Sequence, residues 1–143
     1  MVRVGMAALL LLLGGCASQP SATQVIPGSC PAEVATAAME TIWSQQRAFA
    51  DGDFARARSY ASSSFQSTID VAQFTEIIQA RYGFLLTDPE LAFTNCDLLR
   101  GVAQMSVRVK STPEQLMTYR VVQEGDVWRV DGATTRESSE VTA

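Results

Sequence analysis

Val102-Ala103-Gln104-Met105-Ser106-Val107-Arg108-Val109-Lys110 decides how this chain folds. Ala103, Met105, Val107 and Val109 alternate with Gln104, Ser106, Arg108 and Lys110, and a period of two sends the first set to one face of a strand and the second to the other. The stretch is read as a strand in a sheet with one buried face. Working outward, strand-like stretches are expected at about Leu91 to Leu99, Leu116 to Gln123 and Val127 to Asp131. Ser111-Thr112-Pro113-Glu114 supplies one hairpin connection and Glu124-Gly125-Asp126 a tighter one.

Before Asp88-Pro89 the period is 3.6 instead. Ser29 followed by Pro31 reads as a helix start, a cap residue and then a proline near the first helical position. Val34, Ala35, Ala38, Met39, Ile42, Trp43, Ala48 and Phe49 recur near helical spacing, with Glu33, Glu40, Gln45 and Arg47 on the other side, so this helix is expected to run to about Ala50. Asp51-Gly52-Asp53 is read as a stop and a cap for a second helix, Phe54 to Ala61, which Ser62-Ser63-Ser64 breaks. Asp70 is expected to cap a third helix, with Phe74, Ile77, Ile78 and Tyr82 on one face. Helices first and a strongly curved antiparallel sheet afterwards give an α+β domain in two layers.

At the other end, Arg3, the apolar run Met6 to Leu13, and Gly14-Gly15 before Cys16 have the three parts of an export signal. The run is roughly half the 20 or so apolar residues that a membrane-spanning helix needs. Leu13-Gly14-Gly15-Cys16 resembles the lipobox of bacterial lipoproteins, and the alternative is an ordinary secretory signal. The resemblance implies removal of residues 1–15, lipidation of Cys16 with acyl chains such as palmitate, and residence on the extracytoplasmic face of a cell membrane. Residues 16–28, rich in Ser, Thr, Gln and Pro, then form a flexible stalk, residues 29–133 the domain, and residues 134–143 a disordered tail.

Removing 15 residues from 143 leaves 128, enough for one core. The 11 basic residues fall to 10 with Arg3, against 15 acidic ones, for a net charge of −5. No basic patch with interleaved aromatics occurs, which argues against nucleic-acid binding. With Cys16 lipidated, Cys30 and Cys96 are left as a pair in a compartment where disulfides persist. Bridged, they would close a loop of about 67 residues, worth roughly 4 kcal/mol in the chain-entropy treatment. Two buried free thiols are the alternative. No Cys-x-x-Cys spacing points to redox catalysis.

The element order resembles the superfamily of nuclear transport factor 2-like domains, a cystatin-like cone. The resemblance rests on Phe49-Ala50-Asp51-Gly52-Asp53-Phe54 between two helices, the Ser64-Phe65 turn leading to a helix with Phe74, and the ending Glu124-Gly125-Asp126-Val127-Trp128-Arg129-Val130-Asp131-Gly132. It covers about Cys30 to Ala133. It implies long helices packed against a bent sheet with a cavity between them, which in some relatives is an active site and in others is filled. Some relatives dimerise through the sheet.

The chain has no histidine, which removes the commonest general base and metal ligand. Neither a Gly-rich phosphate loop nor a dinucleotide fingerprint occurs, and no cofactor or metal set is read. Acid-base chemistry of the ketosteroid isomerase kind would have to use Asp97 or Asp131 with Tyr60, Tyr82 or Tyr119, and no catalytic pair is marked among them. Trp43, Phe49, Phe74, Tyr82, Met105, Tyr119 and Trp128 either line an apolar pocket or simply form the core, with Trp128 as a hairpin anchor.

Two functions follow as expectations. One is a non-catalytic, lipid-anchored envelope module that docks another envelope protein or a second copy of itself through the sheet. The other is a cone that binds or isomerises a small apolar ligand. Cys16→Ala tests the anchor. It is expected to abolish the lipid mass adduct and release the protein from membranes, and unchanged retention would contradict the lipobox reading.

Overall fold

The computed structural model describes residues 25–136. Cys16, the export signal, most of the stalk and residues 137–143 lie outside the described residues. Four helices come first: α1 (Ala32–Ala50), α2 (Phe54–Ser59), α3 (Ser63–Thr68) and α4 (Val71–Arg81). A 3₁₀ turn, Gly83–Thr87, leads into β1 (Glu90–Leu99), β2 (Val102–Lys110), β3 (Gln115–Glu124) and β4 (Val127–Arg136). The strands form one antiparallel sheet in the order β1-β2-β3-β4. The fold is α+β, and among the described residues no helix is long and apolar enough to cross a membrane.

On β2 the buried residues are Ala103, Met105, Val107 and Val109, the set that alternation selects. Met117, Tyr119 and Val121 of β3 continue the same face. On β1 the alternation slips: a bulge between Phe93 and Asn95 lets Phe93 and Cys96 both turn to the core. A second bulge, opposite Arg120 and Val121, leaves Asp131 without a cross-strand partner. α1 lies over the apolar face through Ala35, Ala38, Ile42 and Phe49.

Four expectations need correction. Ser29 does not cap α1, whose N-terminal neighbour Pro31 makes no side-chain cap. Its hydroxyl accepts the Leu98 N–H at 3.0 Å instead, because the chain ahead of α1 runs along the edge of β1. Gln45 is not on the solvent side of α1; it and Gln46 are buried, and both amides find backbone acceptors, Ala57 O at 3.1 Å and Leu85 O at 2.7 Å. α2 ends at Ser59, short of the expected Ala61, and Ser62-Ser63-Ser64 does not break it but starts α3, since the Ser62 hydroxyl accepts the Phe65 N–H at 3.1 Å. Finally, β4 runs past Ala133, pairing Thr134, Thr135 and Arg136 with Thr118, Met117 and Leu116, so this part of the expected tail is strand.

Each sheet edge is covered at one point by another segment of the chain. At β4, Val130 N–H donates to Tyr60 O at 2.9 Å and Ser62 N–H donates to Val130 O at 2.8 Å. At β1, Cys96 N–H donates to Pro27 O at 2.8 Å and Cys30 N–H to Cys96 O at 3.1 Å. Cys30 and Cys96 are joined there as a disulfide, 5.5 Å apart between Cα atoms and 66 residues apart in sequence. Gly28, at φ +115°, is required at this crossing, since a Cβ would overlap the Cys96 carbonyl oxygen.

Asp97 reinforces the same crossing. Its carboxylate accepts the Ser29 N–H at 3.0 Å and the Asn95 amide at 2.8 Å, and these bonds hold it below the usual carboxylate range. A lowered folded-state value means that the contact stabilises fully above the ordinary value and is lost as pH falls through the folded one. The NMR chemical shift of the Ser29 amide proton is therefore expected to follow the Asp97 carboxylate with a midpoint below 3.8, and Asp97→Asn to abolish that pH dependence. A midpoint at or above the ordinary value would contradict the contact.

Candidate functional site

Between the helices and the β3–β4 end of the sheet lies a cavity of about 160 Å³. Its walls come from α1 (Gln45, Phe49), α3 and its exit (Phe65, Ile69), α4 (Phe74, Ile77, Ile78), the 3₁₀ region (Tyr82, Leu85), β3 (Met117, Tyr119) and β4 (Val130, Gly132, Ala133). Local sequence explains the roof. Asp70 and Gln73 form a capping box that starts α4, with the Asp70 carboxylate on the Gln73 N–H at 2.8 Å and the Gln73 side chain on the Asp70 N–H at 3.1 Å. That fixes the helix phase so that Phe74 and Ile78 point inward and are buried. Phe74 lies 5.8 Å from Phe49 with the rings inclined 26°, and meets Phe65 edge-on at 5.9 Å.

Opposite this aromatic group, β4 contributes Val130, Gly132 and Ala133, and the missing side chain of Gly132 and the single methyl of Ala133 leave space unfilled. Two tyrosine hydroxyls sit in the walls. Tyr82 donates to Ala133 O at 3.3 Å, bridging the helical layer to β4. Tyr119 is buried, and its O–H has only the Met117 sulfur, at 3.7 Å, as acceptor. Burial, with a smaller contribution from nearby Tyr82, pushes the Tyr119 phenol far above its ordinary range. Tyr119 therefore stays protonated at any physiological pH and can act only as a neutral hydroxyl.

Of the seven aromatic and methionine positions singled out in the sequence, the cavity gathers Phe49, Phe74, Tyr82 and Tyr119. Met105 is buried in the core on β2, opposite Tyr119 across the strand pair but not in the cavity wall. Trp43 packs 6.0 Å from Phe93 and borders a shallow surface depression with Glu40, Ser44 and Arg47. Trp128 is half-buried at the start of β4, where its carbonyl accepts the Thr41 hydroxyl at 3.0 Å. An apolar helix face is wider than the cavity, so periodicity alone could not separate wall from core.

The carboxylates named for acid-base work are elsewhere. Asp97 is committed to Ser29 and Asn95 on β1. Asp131, displaced by the β4 bulge, accepts the Ser62 hydroxyl at 2.8 Å and lies 3.7 Å from Arg120. Tyr60 serves the β4 edge through its backbone. No Asp, Glu, Lys or Arg is among the wall residues. The sequence reading missed Met117, although alternation on β3 put it on the inner face beside Tyr119, and missed Phe65 because the serines before it hid α3.

Among the described residues this is an α+β domain whose apolar, uncharged cavity lies between a helical layer and a four-stranded meander. The chain belongs to the family described as Domain of unknown function (DUF4864), whose model matches residues 33–143. Neither the curated proteins nor the solved structures give a match to the chain.

Phe74 carries the roof of the cavity. Phe74→Ala is expected to cost about 3–5 kcal/mol of unfolding free energy, read from the shift in urea midpoint at constant slope. A loss under about 1 kcal/mol would mean that Phe49 and Phe65 close over the gap.

Proposed function

We propose that this protein is a lipid-anchored envelope lipoprotein whose domain holds a small apolar ligand without transforming it. The observation that carries the ligand reading is the cavity of about 160 Å³ with aromatic and aliphatic walls. A pocket of roughly 150 Å³ lined by Leu, Ile and Phe stays dry and takes up benzene, so the space suits one small ring. Among the described residues the cavity walls hold no carboxylate to act as a base, and Asp97 and Asp131 are held in other contacts.

The nuclear transport factor 2-like assignment is part of the same proposal. It is supported by helices laid on one face of an antiparallel sheet, with the space between them at one end. The anchor reading is supported by Leu13-Gly14-Gly15-Cys16 behind an apolar run, and by a disulfide, which suits an oxidising compartment outside the cytoplasm. Self-association through the sheet ranks below ligand binding. The middle of the face that alternates with the core on β2 and β3 carries Gln104, Ser106, Arg108, Thr118 and Arg120, with the apolar Val102, Leu116 and Val122 only toward its ends, so it offers a second copy no continuous apolar patch.

The test is thermal unfolding of the purified protein with a panel of benzene-sized apolar compounds. A binder present at a hundred times its Kd stabilises by about 2.7 kcal/mol, a readily measured rise in Tm. Ala133→Leu, which fills the cavity from β4, is expected to remove that rise while leaving the protein folded. If no compound raises Tm, the ligand reading fails.

A further inference from the structure

Three polar side chains reach the cavity, and two of them donate to backbone carbonyls. The Gln45 amide nitrogen donates to Ala57 O at 3.1 Å, and the Tyr82 hydroxyl donates to Ala133 O at 3.3 Å. Both bonds hold the helical layer in place. The Tyr119 hydroxyl differs: it is buried, and a thioether sulfur 3.7 Å away is a weak acceptor. A buried hydroxyl ordinarily finds an oxygen or nitrogen partner. Met117 and Tyr119 both belong to the wall, and the Tyr119 hydroxyl lies 3.7 Å from the sulfur of its wall neighbour.

We propose that the ligand is a neutral, single-ring apolar molecule carrying one acceptor oxygen, of the ketone, aldehyde or ester kind, which receives the Tyr119 hydroxyl in place of the Met117 sulfur. The inference rests on the cavity reading above and narrows it to a chemical class. Neutrality follows from the walls. A carboxylate or an ammonium would enter an apolar space where no Lys, Arg, Asp or Glu among the described residues lines the wall to pair with it, and an unpaired buried charge is far too costly. The acceptor follows from Tyr119. Burial keeps the phenol protonated, so it donates a hydrogen bond and does not bind as a phenolate. A ligand with no oxygen leaves that donor as poorly served as before. Tyr119 becomes a specificity-determining residue, and the bound oxygen is oriented toward β3 with the ring against Phe74 and Phe49.

Acetophenone and ethylbenzene make the test, because they share size and shape and differ in the carbonyl. On the purified protein acetophenone is expected to bind roughly three- to tenfold more tightly, the range that one neutral hydrogen bond supplies. Tyr119→Phe is expected to erase that preference and leave ethylbenzene affinity unchanged. The carbonyl stretch of bound acetophenone gives a second readout, lower in frequency in the wild type than in Tyr119→Phe, or than in apolar solvent if that variant does not fold. Equal affinity for both compounds in the wild type, with no shift of the stretch, would overturn the acceptor inference and leave the cavity reading standing. Binding of neither compound would overturn both.

Discussion

The clasp between residues 60–62 and Val130 sets the geometry on which the cavity depends. Val130 N–H to Tyr60 O and Ser62 N–H to Val130 O are two short backbone bonds, and they seal the edge of β4 with the chain leaving α2. Because Ser62 is held there, its hydroxyl is in position to cap α3 and to donate to Asp131. α3 and α4 then rise from a fixed point on the sheet. Arg58 strengthens this arrangement by donating to Ile69 O at 2.6 Å and Gln66 O at 2.7 Å, so the carbonyls at the end of α3 are satisfied from α2. The short helices are stable as part of this bracket, since helices of six residues have little stability alone.

The empty space lies beside the same clasp. Next to Val130 the strand bulges, and the bulge leaves Asp131 unpaired and sets Gly132 and Ala133 in the cavity wall with residues of α4. Large residues from three helical segments therefore face small ones from the strand. Packing is close elsewhere, with Ile42, Met105, Val107, Val109 and Val121 almost wholly buried. At the opposite edge the disulfide, Gly28 and Asp97 fasten the chain ahead of α1 to β1, away from the cavity. The disulfide and the cavity are thus at different edges of the sheet.

Sequence periodicity served best where one face of an element is wet and the other dry. β2 met that condition along its whole length, and its ends and buried set were legible as written. β1 did not, because its bulge shifts the alternation by one residue between Phe93 and Cys96. The serine run had two readings of equal local merit, a break or a cap, and a contact 69 residues away at Asp131 accompanies the second. Gln45 and Gln46 look like solvent-facing residues by type, yet each is buried against a backbone carbonyl supplied by another element.

By itself the sequence determined the class of fold, helices then a one-faced sheet, and offered four of the residues that wall the cavity: Phe49, Phe74, Tyr82 and Tyr119. It also left Cys30 and Cys96 as a pair. Only the tertiary structure decided that those cysteines meet on the β1 edge, that Trp43, Met105 and Trp128 are not in the cavity wall, and that Asp97 and Asp131 are engaged elsewhere. The physical reason is that hydrophobic periodicity records which face of an element avoids water. A void arises from the mismatch in size between faces that are distant in sequence, and from where two bulges and an edge clasp set them.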